Sequence, residues 1–129
     1  MSRGRRPEVA IAEAMQYASA SGSRVIALHA AWLPCDFMTV REDCMTLVRV
    51  RRLRYRHFAV PDIERSCSQE IAELREVPIS GDVSRELWVR GPDRPWYRYG
   101  VMPDRVEALA GKVHCEPIRR SGQQTLATG

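Results

Sequence analysis

A helical segment framed by extended ones does most to set the fold of this chain. Between Pro61 and Pro78, Ile63, Cys67, Ile71 and Leu74 recur at helical spacing as one apolar stripe, while Glu64, Glu70, Glu73 and Glu76 are placed to face water. Segments with strand character stand on either side, from Cys44 to about Tyr55 and from Glu86 to Arg90. A helix between these two strands acts as a crossover, which suggests a mixed sheet. The other connections are short turns, so the expected architecture is a mixed α/β sheet flanked by helices.

The remaining elements fit around that unit. Pro7 opens a first helix, in which Ile11, Ala14, Met15 and Ala18 form the stripe and Gly22 is the stop. Arg24 to Trp32 is an almost unbroken apolar run, as expected of a central strand covered on both faces, and His29 within it reads as a hydrogen-bonded core residue. Leu33-Pro34-Cys35-Asp36 breaks the run. Phe37 to Val40 then pairs through the polar turn Arg41-Glu42-Asp43 with the strand beginning at Cys44. Glu86 to Arg90 and Trp96 to Met102 are joined by the turn-rich Gly91-Pro92-Asp93-Arg94-Pro95. The order is αβββαββ. A basic arm over residues 1–7, one α/β domain over 8–118 and a disordered tail over 119–129 are expected; 129 residues, 44% of them apolar, suffice for one core.

Charge points to a partner. The formal charge is +4, and of the 20 Lys and Arg residues only Lys112 is a lysine. Arginine presents a planar fork of donors suited to phosphates and base edges. Arg49, Arg51, Arg52, Arg54, Arg56 and His57 fall within nine residues, interleaved with Val50, Leu53 and Tyr55. A strand spreads such a run over both faces, so each cation must meet a phosphate, a carboxylate or water. Two readings stay open. In one, the stripe binds nucleic acid, DNA rather than RNA, and about five phosphate contacts would give a salt slope near −4 to −5. In the other, the arginines pair with acidic helix faces such as Glu70 and Glu73. Arg3, Arg5 and Arg6 would add a basic arm. Trp88, Trp96, Tyr97 and Tyr99, with Arg90, Arg94 and Arg98 among them, offer stacking surfaces or core, and core is favoured for the two tryptophans.

The four cysteines, Cys35, Cys44, Cys67 and Cys115, form no closely spaced pair that would grip zinc. Free, mostly buried thiols in a reducing compartment are expected. His114, Cys115 and Glu116 are adjacent and cannot all point at one ion. No apolar run is long enough to span a membrane, and a cytoplasmic protein is expected.

The order αβββαββ resembles the restriction-endonuclease-like superfamily, in particular the small archaeal Holliday junction resolvases, over roughly residues 8 to 109; a group of uncharacterised archaeal proteins is similar. The resemblance implies a carboxylate on the first helix, an Asp opening the second strand and a Glu-x-Lys on the third. Glu13 stands at the first position, although off the apolar stripe, and Asp36 follows Pro34 at the second. At the third stands Arg49-Val50-Arg51, with a cation where a metal ligand belongs. Such nucleases hold Mg²⁺ on two or more carboxylates. Arg49 would repel the ion by several kcal/mol at an effective dielectric of about 20. The expectation is a nuclease-derived, nucleic-acid-binding domain that needs no cofactor and has lost metal-dependent cleavage. One alternative is an active Mg²⁺-dependent nuclease using Glu13, Asp36 as metal ligand, a rearranged Glu42, and Arg51 in place of the lysine. The other is a protein-interaction domain that binds no nucleic acid. Resolvases of this fold act as dimers, which makes a homodimer a further expectation.

Overall fold

A computed structural model describes residues 6–30, 32–79, 81–92 and 96–109. Helix α1 spans Glu8–Ala20, with Pro7 at its N-cap. It buries Ala10, Ile11, Ala14 and Ala18, the small-residue stripe that lets it lie close on a sheet. Gly22, at φ 98, takes the left-handed conformation that turns the chain into the sheet.

Among the described residues, six strands form one sheet in the order β1-β2-β3-β4-β5-β6. They are β1 (Arg24–Ala27), β2 (Phe37–Arg41), β3 (Cys44–Arg52), β4 (Val83–Arg90), β5 (Trp96–Val101) and β6 (Val106–Leu109). Neighbours pair antiparallel except β3 and β4, which are parallel from Met45↔Val83 to Arg52↔Arg90. Two helices, α2 (Val60–Ser66) and α3 (Ser68–Arg75), make the crossover between them. The protein is thus a mixed α/β fold with a sheet flanked by helices, as the sequence predicts.

Strand alternation builds two cores. Val48 and Val50 pack with Phe37 and Trp88 beneath α1. Leu53, Leu87, Val89 and Tyr99 pack with Ile63, Ile71 and Leu74 on the α2 and α3 side. At roughly 25 cal/mol per Å² of apolar surface removed from water, these two layers supply the main driving force for folding.

Five expectations are corrected. The first strand ends at Ala27, pairs only with β2 among the described residues and is largely exposed, Ile26 at 47%, so it lies at the edge of the described sheet rather than at its centre. Its alanine-rich continuation offers too little apolar area to justify burial on both faces, and His29 is exposed in the following loop rather than in the core. The crossover helix is two short helices broken at Cys67 (φ −117, ψ 27). There the Ser66 carbonyl is taken by Arg51 Nη1 at 3.3 Å. A sixth strand follows the turn closed by Met102 N–H to Arg105 O at 2.8 Å, and it is short enough to lack a sequence signature. Finally, Cys35 and Cys67 are buried thiols outside any disulfide, but Cys44 is disulfide-bonded.

Residues 1–5 of the basic arm, the tail over 119–129 and the cluster at His114 lie outside the described residues. No helix among the described residues is long and apolar enough to cross a membrane.

Candidate nucleic-acid interface

Alternation along β3 sorts the arginine stripe. Arg49 and Arg51 share a face with Leu47 and Leu53, the face covered by α3. Arg49 Nη1 donates to Glu73 Oε1 at 3.0 Å and to Pro34 O at 3.1 Å. Arg51 Nη1 donates to Glu70 Oε2 at 2.6 Å. Two strand residues on one face stand about 6.6–6.8 Å apart and two helix residues at i,i+3 about 5–6 Å apart, so the pairs line up with little side-chain bending. Glu70 and Glu73 therefore face the arginines, not water as their place opposite the apolar stripe suggests. Between these pairs burial pushes the Cys67 thiol up to about 11, an effect that the cations of Arg51 and Arg49 temper.

Beyond β3 the chain behaves differently. Arg52 is exposed at the strand's end, beside Arg90 of β4. Leu53 is buried and its N–H donates to Arg90 O at 3.1 Å. Arg54, Tyr55, Arg56 and His57 are then all exposed, and Tyr55 meets His57 edge-on at 6.2 Å. Phe58 brings the chain back. Its ring stacks on Tyr97 at 4.0 Å, and its carbonyl accepts from the Tyr99 hydroxyl at 2.5 Å. Gly91 makes this possible, since a Cβ there would lie 2.5 Å from Phe58 Cζ. Burial, reinforced by Tyr97, raises the Tyr99 pKa, so that hydroxyl stays a donor. Four residues are thus displayed between the buried Leu53 and the half-buried Phe58.

The opposite face of the sheet holds a second set of ion pairs. Arg90 Nη1 donates to Glu13 Oε1 at 2.6 Å and its guanidinium lies over Trp96, 5.2 Å from the ring centroid. Glu86 accepts from Trp88 Nε1 at 2.8 Å and from Arg98 Nε at 3.3 Å, all within the core. Trp88 is fully buried, as favoured from sequence. Arg85 is a buried arginine that donates to the carbonyls of Leu74, Arg75 and Val77, closing the C-terminal end of α3. Sequence reasoning missed Arg85, Glu86 and Arg98 as core residues; adjacent opposite charges inside a strand were the available signal.

The residues proposed as metal ligands do not converge. The Asp36 side chain is fully buried; its Oδ2 accepts from Val50 N–H at 2.7 Å and its Oδ1 lies 3.4 Å from Arg6 Nη2. Glu13 is committed to Arg90, and Glu42 is exposed in the β2–β3 turn. Arg51, the proposed stand-in for the catalytic lysine, is bound by Glu70. Among the described residues no group of three or more His, Cys, Asp or Glu comes together to hold a metal. An Asp already engaged by a cation and a backbone N–H, with Arg49 nearby on β3, does not fit Mg²⁺.

No protein-family model matches the chain, and no curated protein matches it. Among solved structures it is similar to Hjc, a Holliday junction resolvase from the archaeal hyperthermophile Archaeoglobus fulgidus. The identity is 9% and the TM-score 0.45, over 76% of this chain and 85% of that one.

Proposed function

We propose that this chain is a nucleic-acid-binding domain of nuclease-like design that does not cut. One observation carries the reading: β3 and the segment after it divide the arginine stripe, turning Arg49 and Arg51 into the fold while Arg52, Arg54 and Arg56 stand exposed around an exposed Tyr55. Cations and an aromatic ring on one short displayed segment suit phosphates and bases together. The engagement of Asp36 by Val50 N–H and Arg6, and of Glu13 by Arg90, supports loss of cleavage as part of this reading, and DNA is the proposed partner.

Three arginines on phosphates, rather than five, lower the expected salt slope to about −2 on single strands or about −3 on duplex. The test is a fluorescence-anisotropy titration against duplex, single-stranded and four-way-junction DNA and RNA at several salt concentrations, with and without Mg²⁺. Each mixture is afterwards run on a gel. Binding with that slope and intact substrate supports the reading. No binding at low salt would leave the protein-interaction domain, and Mg²⁺-dependent cleavage would restore the nuclease.

A further inference from the structure

Loops from three connections leave the same end of the sheet. Ala27 pairs with Phe37 and Phe37 with Val48, at the middle of β3, so the β1–β2 loop leaves the sheet on the side toward which β3 runs. The parallel pair β3 and β4 ends there too, at Arg52 and Arg90. The carboxyl ends of parallel strands are where open α/β sheets place their ligands.

Hydrogen bonds and packing tie down described residues on both sides of Trp32 in the β1–β2 loop. Leu28 N–H donates to Asp36 O at 3.1 Å, and Leu33 N–H donates to Ala30 O at 3.0 Å. Leu28 and Leu33 pack into the core, and Arg49 Nη1 holds the Pro34 carbonyl. Trp32, next to Leu33, has 82% of its surface exposed. Leaving so large an apolar ring in water costs stability, and a fold that anchors both flanks of the ring while exposing it is displaying it. Tyr55, 53% exposed, is displayed in the same way from the next loop, between the anchors Leu53 and Phe58.

This end of the molecule therefore offers two aromatic platforms with Arg52 and Arg54 beside one of them. A duplex presents phosphates and groove edges but hides the faces of its bases; an unpaired strand offers both phosphates and faces. Resting on the nucleic-acid reading above, we infer that this surface takes single-stranded or locally unpaired nucleic acid, with Trp32 and Tyr55 stacking on bases and Arg52 and Arg54 meeting the backbone.

The experiment titrates the full chain against a single strand and against a hairpin duplex with the same number of phosphates. Wild type, W32A, Y55A, their phenylalanine counterparts and R54A are compared, and thermal melts confirm folding. Tighter binding of the single strand is expected. W32A and Y55A should each weaken it roughly 5- to 150-fold with the salt slope unchanged, and W32F and Y55F should recover most of the loss. Their duplex affinity should shift by less than about twofold, whereas R54A should weaken both forms and flatten the slope. Equal affinity for the two forms, or alanine variants with wild-type single-strand binding, would overturn this inference and leave the nucleic-acid reading standing. Failure to bind either form would remove both.

Discussion

Arg49 Nη1 lies 3.0 Å from Glu73 Oε1, a guanidinium 6% exposed against a carboxylate 29% exposed. Removing the carboxylate strands a buried cation, whereas removing the cation frees a carboxylate that can reach water. Arg49 Nε is also buried without a hydrogen-bond partner among the described residues, a cost that an apolar side chain would relieve. E73A should destabilise by about 1–3 kcal/mol, discounted for its partial exposure, and R49M by about 1 kcal/mol or less. Urea midpoints at neutral pH decide it. The reverse order would mean that the Arg49 bond to Pro34 O, rather than the ion pair, is the main contribution.

Asp36 belongs to the framework. D36A leaves the buried Val50 N–H without its acceptor and should cost about 1–3 kcal/mol in thermal or urea unfolding. Wild-type protein should melt at the same temperature with or without millimolar Mg²⁺ or Mn²⁺, since ligand that binds only the folded state would raise the midpoint. A metal-dependent rise that D36A abolishes would contradict the position assigned to this carboxylate.

The divided stripe predicts two kinds of arginine variant. R52A and R54A should each reduce the magnitude of the salt slope by about 0.7–0.9 and leave urea midpoints nearly unchanged. R51A should leave the slope unchanged and destabilise the fold, because Glu70 and the Ser66 carbonyl both lose their donor. Binding isotherms at several salt concentrations, set beside unfolding curves, separate the two. A slope change in R51A would place its guanidinium on phosphate despite Glu70.

Alkaline pH should weaken the fold through Cys67. Burial raises its pKa from 9.0 to about 11, so the folded protein keeps a proton that the unfolded chain releases. With fewer protons bound when unfolded, stability is full below pH 9, falls as pH rises toward 11, and then levels. Two units correspond to at most about 3 kcal/mol. The raised Tyr99 pKa acts in the same direction. C67A should show a shallower decline of urea stability across this window than wild type. An identical decline would assign the effect to Tyr99 and other groups.

How far the sequence was legible follows from which signals are local. The α1 stripe of Ile11, Ala14 and Ala18 and the crossover were readable because periodicity and connection chirality do not depend on distant partners. The pairing of Arg49 and Arg51 with Glu73 and Glu70 was also available, since strand parity put both arginines beside Leu47 and Leu53. It stood only as one of two readings, because a phosphate and a carboxylate satisfy a guanidinium equally well. The edge position of β1 was hidden: an alanine-rich run looks the same whether one neighbour covers it or two. So was the display of Trp32, which depends on Leu28, Leu33 and Arg49 fixing the loop around it.

Phe58 packs over Gly91, where a side chain has no room, and this fit yields a prediction about coupling. G91A would place a Cβ 2.5 Å from Phe58 Cζ, so the ring must leave its stack on Tyr97, and the Phe58 carbonyl that accepts from Tyr99 is disturbed with it. Overpacking of this kind typically costs about 1–3 kcal/mol. F58A costs more, about 3–5 kcal/mol at full burial and less here because the ring is only half-buried, but it empties the space that the new methyl needs. The double variant should therefore be more stable than the sum of the single losses, with a favourable coupling of about 0.5–3 kcal/mol in a urea double-mutant cycle. G91A should also loosen the anchor of Arg54 to His57 and weaken single-strand binding, without altering the number of phosphates met and hence the salt slope. Additive losses would mean that the backbone at Gly91, rather than the Phe58 ring, yields to the methyl.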